Sequence, residues 1–207
     1  MFWRFVQQKT RFPLFNPTLC SALCMIGLLL LLDIPYDDYK SGCEPLQYLM
    51  TPATICFAVG MYEQIGKLKK HIAAIVLGVL SGTGASLFSI WLMCRLFDLD
   101  KQLTVSLLPK SITTAIGAVL SEEAGGIIAI TTAAIVITGC LGNILAEPLC
   151  RLFRFKNSVV QGVAIGTSSH AIGTSKAHEM SEVAGATSSL ALTFAGLVTV
   201  DLFSFIV

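Results

Sequence analysis

The chain has 207 residues, of which 54% are hydrophobic and 13% charged, and its formal net charge is +1. Soluble domains carry about 25% charged residues, so the composition excludes an ordinary soluble protein and predicts an integral membrane protein. The small net charge gives no basic field for nucleic acid, which leaves the lipid bilayer, small solutes and membrane proteins as partners. The start, Met1–Val6, is interrupted by Arg4 and precedes no small-residue cleavage site, so we expect no cleavable signal peptide.

Five apolar stretches approach or exceed the roughly 20 residues that a transmembrane helix needs. They are residues 14–32, 46–62, 72–97, 127–146 and 186 to about 205. Basic residues cluster before the first stretch and at 67–71 and 151–156, whereas acidic residues prevail at 33–44 and 98–101. Positive loops tend to stay cytoplasmic, so this alternation predicts a cytoplasmic N-terminus. The expected fold is an all-α, multi-pass membrane protein that forms one domain over residues 1–207.

Two further stretches are too polar for lipid-facing spans. They are Leu103–Gly126, which contains Pro109 and Lys110, and Val159–Gly185, which is rich in Gly, Ser and Thr. The orientation of the neighbouring loops requires each stretch to enter and leave on one side, from opposite faces. Both are therefore predicted to be re-entrant or broken helical segments that face each other.

The two stretches also resemble one another in sequence. Ala115–Gly117 recurs as Ala171–Gly173, and Ser121–Gly125 resembles Ser181–Gly185. Chance similarity in a Gly/Ala-rich chain and an internal duplication both explain motifs this short. Opposed broken segments are typical of secondary transporters with inverted repeats, which bind their solute near the middle of the membrane.

Ionisable and hydroxyl side chains at membrane depth are costly and tend to mark a solute path. Lys110 suits a carboxylate substrate as its counter-charge; alternatively, it extends to the membrane interface. His170 either carries a coupled proton or bridges two helices. Glu122 and Glu182 are further proton sites or charged helix caps. The predicted substrate-binding residues are Lys110, Ser111, Thr113, Thr114, Gly166, Thr167, Ser168, Ser169, His170, Gly173 and Thr174.

Enzymatic activity is not expected. Ser169 and His170 suggest a hydrolase, but side chains of adjacent residues diverge and no orienting acid is evident. No nucleotide-binding, metalloprotease or hydrolase motif occurs, and the seven cysteines lack CxxC spacing, so we predict no cofactor and no metal.

Two long segments, LLPKSITTAIGAVLSEEAGGI and GVAIGTSSHAIGTSKAHEMSEVAG, resemble the signature regions of the LrgB/CidB family and of its plastid glycolate/glycerate translocator relatives. The family patterns LPKSxTT and GTxSHxxGT are intact at 108–114 and 166–174. Gly60, Ala115 and Lys176 stand where the family has proline, proline and arginine. Family members also have an additional N-terminal hydrophobic helix, which we expect to be truncated here.

The resemblance implies a holin-like or antiholin-like protein of the bacterial inner membrane. Such proteins are linked to control of murein hydrolases and lysis, act with a small LrgA/CidA-type membrane partner, and form homo-oligomers. Relatives move glycolate or glycerate, and others are linked to pyruvate. We therefore expect a proton-coupled carrier of small monocarboxylates; the alternative is an assembly protein that modulates cell-wall hydrolase export or activity without being a carrier.

Overall fold

The computed structural model describes residues 17–49, 52, 62–63 and 65–206, and all regular elements in these residues are helical. This confirms the predicted all-α class. The chain divides into two compact units, residues 1–59 and 60–207. The predicted single domain over the whole chain remains a prediction.

In the first unit, α1 spans Pro17–Leu31, α2 spans Tyr36–Gly42 and α3 spans Glu44–Tyr48. Helix α1, with 15 residues, thus lies within the apolar stretch that was predicted at 14–32. The region 33–44, expected to be a loop, instead contains α2, which follows Pro35 with its φ of −58°. Proline is pre-set for the start of a helix, which explains why helix resumes there. Most of the predicted span at 46–62 lies outside the described residues.

The second unit contains the polar segments and the longest helices. In chain order its elements are α4 (Ile65–Lys70), α5 (Ile72–Leu96), α6 (Lys101–Leu107), a 3₁₀ turn (Leu108–Ser111), α7 (Thr114–Glu123), α8 (Ile128–Leu152), α9 (Ser158–Met180) and α10 (Glu182–Ile206).

Within the described residues, three helices are long and apolar enough to cross a membrane: α5, α8 and α10, with 25 residues each. They correspond to the predicted spans at 72–97, 127–146 and 186–205. Large apolar side chains such as Phe88 and Leu197 are more than 60% exposed on these helices, as expected for surfaces that face lipid.

Two of these helices extend beyond the apolar stretches that were predicted as spans. Helix α8 passes through Pro148 to Leu152, because Ala146 and Cys150 are buried in a cluster with Ile165 of α9 and this packing outweighs the proline. Helix α10 begins at Glu182 and therefore includes residues 182–185, the end of the second polar stretch.

The start of α10 has a local cause. Ser181 has an extended backbone, with φ −166° and ψ 152°, and its hydroxyl accepts a hydrogen bond from the Ala184 amide at 3.0 Å. It is therefore the N-cap that starts the new helix.

Residues 101–123 form the first hairpin, in which α6 enters the bundle, the chain breaks, and α7 returns. Ser106 near the end of α6 accepts a hydrogen bond from the Ile127 amide at 2.7 Å. Thr131 of α8 donates to Ser121 near the end of α7, also at 2.7 Å. Both arms thus lie beside the first turns of α8, and the helix is interrupted between them at Leu108–Ser111.

Residues 158–180 form the second hairpin, made by α9 alone. Ile165 on its first arm and Ala177 on its second arm are buried in one cluster with Ala146 and Cys150, near the end of α8. Lys176 lies 3.6 Å from Glu147 of α8. The second arm therefore runs back toward the end from which the first arm entered.

The helices that precede the two hairpins end in matching sequences but run in opposite directions. Cys94-Arg95-Leu96-Phe97 ends α5 and Cys150-Arg151-Leu152-Phe153 ends α8, and a left-handed residue follows each, Asp98 with φ 52° and Arg154 with φ 55°. Cys94 packs with Phe203, near the end of α10, whereas Cys150 packs with Ala184 at its start. The two helix–hairpin units thus point in opposite directions, which favours duplication over chance similarity.

Candidate functional site

The first hairpin breaks at residues 108–113, which we call the first tip. Pro109 has φ −83° and ψ 20°, and the backbone of Ile112 and Thr113 is extended before α7 starts. Proline supplies no amide hydrogen for the helical hydrogen-bond pattern, so the α-helical geometry of α6 cannot continue. Leu108, Pro109 and Ile112 are buried and hold the tip, while Lys110 is half-buried.

The second hairpin breaks at His170, and we call residues 167–170 the second tip. His170 has φ 41° and ψ −143°, a region that L-residues rarely adopt. Its side chain is buried, and its Nε2 lies 2.9 Å from the carbonyl oxygen of Ile135 on α8. A carbonyl only accepts, so Nε2 carries the hydrogen of this bond.

Gly139 makes room for the imidazole. A Cβ built on Gly139 would lie 2.6 Å from His170 Cε1 and 2.7 Å from Nε2. Gly142, one turn further along α8, faces Ser169 so closely that a Cβ there would overlap the serine side chain. These two glycines let the second tip approach the backbone of α8, as small residues do at helix contacts in membranes.

The two tips meet inside the second unit. Ser111 and Ile112 of the first tip and Thr167 of the second line one small cavity. Its volume is about 10 Å³, roughly the space of one water molecule. Lys110 also lies within electrostatic range of His170. The structure thus brings together residues that are more than fifty positions apart in the sequence.

A chain of polar groups leads from Lys110 toward the cavity. The Lys110 ammonium donates to Ser111 Oγ at 3.3 Å, and Ser111 Oγ lies 3.1 Å from Ser86 Oγ of α5. An ammonium has no acceptor, so Ser111 accepts from Lys110 and its own proton is free to point to Ser86. Among the ion pairs of the described residues, none includes Lys110.

Sequence reasoning missed three hydroxyl residues of the cavity: Thr83 and Ser86 of α5 and Thr199 of α10. Thr83 is buried, and within the described part of the chain its hydroxyl is the buried side-chain group without a hydrogen-bond partner. Buried hydroxyls are normally paired, so a water or a solute atom is expected beside it. The sequence feature that could have identified these three residues is a hydroxyl side chain isolated inside an apolar span.

The remaining predicted residues separate into packing and peripheral positions. Thr174 Oγ1 is 2.8 Å from Ser188 Oγ and donates to the His170 carbonyl at 2.8 Å, which ties the break to α10. Gly166 is buried where α9 contacts α10. Gly173 is buried where the two arms of α9 meet. Ser168 is exposed and donates to the Ala164 carbonyl at 2.7 Å.

Three predicted residues lie away from the cavity. The first is Thr114, which is exposed at the first turn of α7. Its neighbour Thr113 belongs to the first tip and is half-buried. Glu122 and Glu182 are exposed near the end of α7 and at the start of α10. The structure therefore does not bring the two carboxylates to the place where the tips meet.

Comparison with known proteins identifies the family of the chain. The model of the LrgB-like family matches residues 1–207. The chain belongs to the LrgB family. It is 34% identical to holin-like protein CidB of Staphylococcus aureus strain Mu50, over 94% of this chain and 85% of that protein.

Other LrgB-family relatives come from Bacillus subtilis strain 168. Antiholin-like protein LrgB is 36% identical over 95% of this chain and 85% of its own length. The uncharacterized protein YwbG is 37% identical over 89% of this chain and 82% of its own length. The names of CidB and LrgB describe a holin-like and an antiholin-like protein. No solved structure matches the chain.

Proposed function

We propose that this LrgB-family membrane protein is a carrier of small monocarboxylates of the pyruvate, glycolate or glycerate type, coupled to protons. The observation that supports it is the meeting of the two tips, where Ser111 and Thr167 line the same cavity. Broken segments that enter a bundle from opposite ends and meet inside it are the usual setting of a solute site in secondary transporters.

The charge at the tips suits a monocarboxylate. Lys110 provides one positive charge and forms no ion pair with the described residues. A substrate carboxylate would accept from this ammonium, while the hydroxyls of Ser111, Ser86 and Thr83 offer bonds to its oxygen atoms. Burying a single ammonium favours an anion of charge −1 over a neutral solute.

The size of the cavity argues for gating. A space of about 10 Å³ holds one water molecule and is too small for a three-carbon acid. Substrate entry therefore requires the tips to move apart. Because the hairpins enter from opposite ends, withdrawal of one or the other would open the site to alternate sides of the membrane.

His170 is the proposed proton carrier. Its Nε2 hydrogen is used in the bond to Ile135, so Nδ1 is the ring atom that can take up a coupled proton. Protonation would add a positive charge within range of Lys110 and would strengthen anion binding at the tips.

The test is uptake of labelled pyruvate, glycolate and glycerate into proteoliposomes with an imposed pH gradient. We expect saturable, gradient-dependent uptake that Lys110→Gln weakens roughly tenfold to hundredfold in apparent affinity. This range follows because hydrogen bonds to charged groups contribute about 1.5–3 kcal/mol and 1.4 kcal/mol is a factor of ten. His170→Gln should abolish acceleration by the gradient.

Lys101→Gln is the matched control, since Lys101 is exposed at the outer end of the same hairpin and its loss should leave uptake unchanged. Failure of the folded native protein to take up any of the three acids, also with a small LrgA/CidA-type partner present, would reject the carrier.

The names of the relatives support a second function, in which the protein acts as a holin-like or antiholin-like assembly that controls murein hydrolases and lysis. Under this proposal it resides in the bacterial inner membrane with its N-terminus in the cytoplasm, and works with that small partner or as a homo-oligomer. Lys110→Gln should then leave lysis control intact. Loss of lysis control and of uptake together would instead link the two functions through weak-acid transport.

A further inference from the structure

Two adjoining depressions lie on the second unit where α8, the following loop and the first arm of α9 meet. One has a volume of about 480 Å³ and is lined by charged residues of the loop. The other has a volume of about 240 Å³ and is lined almost entirely by apolar atoms. Cys150 and Phe155 line both, so the two depressions adjoin, and we call them together the groove.

The charged depression is basic. Its ionisable residues other than Cys150 are Glu147, Arg151, Arg154 and Lys156. Arg151 pairs with Glu147 at 2.5 Å, and Lys176 approaches the same carboxylate at 3.6 Å. No ion pair of the described residues includes Arg154 or Lys156, so two positive charges remain for an anion.

The apolar depression has the depth of one lipid leaflet. It runs from Phe153, beside the basic loop, to Gly142 and Ser169 at the second tip. Eleven residues of helix separate Gly142 from Phe153, which at 1.5 Å per residue is roughly 16 Å. Half of a hydrocarbon core about 30 Å thick is roughly 15 Å.

We propose that this groove binds one anionic phospholipid, with its phosphate between Arg154 and Lys156 and an acyl chain along α8. Basic pockets beside membrane helices are suited to anionic headgroups, and the adjoining apolar groove distinguishes a lipid from a soluble phosphate. Phe153 and Phe155, stacked with centroids 5.8 Å apart, lie at the boundary between the two depressions. The end of the chain lies against Ser168 and Ser169, so the lipid contacts the second tip.

The experiment measures the melting temperature of the purified full chain in neutral detergent during titration with three probes. These are phosphatidylglycerol, phosphatidylcholine with the same acyl chains, and glycerol phosphate, which has the headgroup chemistry without the chains. We expect phosphatidylglycerol to stabilise the protein at roughly twentyfold lower concentration than phosphatidylcholine, because each basic side chain near an anionic headgroup contributes roughly a factor of five.

The double variant Arg154→Gln/Lys156→Gln should remove the preference for phosphatidylglycerol. The control Lys69→Gln/Lys70→Gln removes two exposed basic residues outside the groove and should keep the preference for phosphatidylglycerol. Equal effects of the two lipids, or an unchanged preference in the first double variant, would overturn the proposal. A full effect of glycerol phosphate alone would also overturn it, since the groove would then bind a soluble anion.

Discussion

The imidazole of His170 reaches from the break in α9 to the carbonyl oxygen of Ile135 in α8, with Nε2 and the oxygen 2.9 Å apart. Ile135 is fully buried in the first third of α8, and Gly139 one turn later leaves the space that the ring fills. A bond from an irregular backbone position to a continuous helix fixes the depth of the second tip in the bundle.

Replacement of Gly139 by alanine should displace the ring from this position. The new Cβ would lie 2.6 Å from His170 Cε1, closer than side chains approach one another in folded proteins. Overpacking of this kind costs about 1–3 kcal/mol, and we expect a lower melting temperature in detergent together with impaired uptake. Gly84→Ala is the control, because nothing lies within 4 Å of a Cβ there; an equal loss in both variants would contradict the steric argument.

The backbone of His170 allows a second prediction. With φ at 41°, an alanine at this position loses the bond to Ile135 and keeps the unfavourable backbone, whereas a glycine loses only the bond. We expect His170→Gly to be more stable than His170→Ala by roughly 1–2 kcal/mol. Glycine avoids the cost of the strained backbone, and the greater entropy of glycine in the unfolded chain offsets part of this gain. Thermal unfolding of both variants measures this difference, and a more stable alanine variant would refute it.

The overall path of the chain was predictable because membrane burial leaves strong signals. The length of the apolar stretches predicted α5, α8 and α10. The charges of the loops predicted that both polar stretches reverse direction. Pro109 marked the first break in the sequence. The position of the second break was not evident, because it depends on the contact between His170 and Ile135, which tertiary packing alone creates.

The candidate site was only partly predictable for a related reason. Lys110, Ser111 and Thr167 stand in polar clusters that are unusual at membrane depth, so composition located them. Thr83 and Thr199 are single hydroxyls in apolar helices, where a threonine commonly bonds to its own backbone, as Thr199 does with the Ala195 carbonyl at 2.7 Å. Only the positions of the neighbouring helices distinguish such a residue from one that lines a cavity.

Asn143 of α8 holds the second arm of α9 by a hydrogen bond between the two helices. Its amide donates to the Ile172 carbonyl at 2.8 Å, and the Ser175 hydroxyl donates to the same oxygen at 2.7 Å. Asn143→Leu should destabilise the protein by about 0.5–1.5 kcal/mol, the range for such bonds in membranes. In the double variant with Ser175→Ala, the loss in free energy of unfolding should exceed the sum of the losses in the single variants, because the Ile172 carbonyl then lacks both side-chain donors. Simple additivity in thermal unfolding would show that the two donors act independently.

Ser86 and Ser111 offer a direct test of gating at the first tip, because their hydroxyl oxygens are 3.1 Å apart on α5 and the 3₁₀ turn. In a background without the native cysteines, Ser86→Cys/Ser111→Cys should form a disulfide on oxidation, since sulfur atoms placed there are near bonding distance. The cross-link holds the first hairpin against α5. Because thiols donate only weakly in place of the two serine hydroxyls, we expect the reduced double variant to keep uptake at a lower apparent affinity, and oxidation to abolish that remaining uptake reversibly. Ser81→Cys/Ser111→Cys is the control, because Ser81 is exposed five residues earlier on α5. Full uptake by the cross-linked form would mean that the first tip stays fixed during transport and that the second hairpin alone moves.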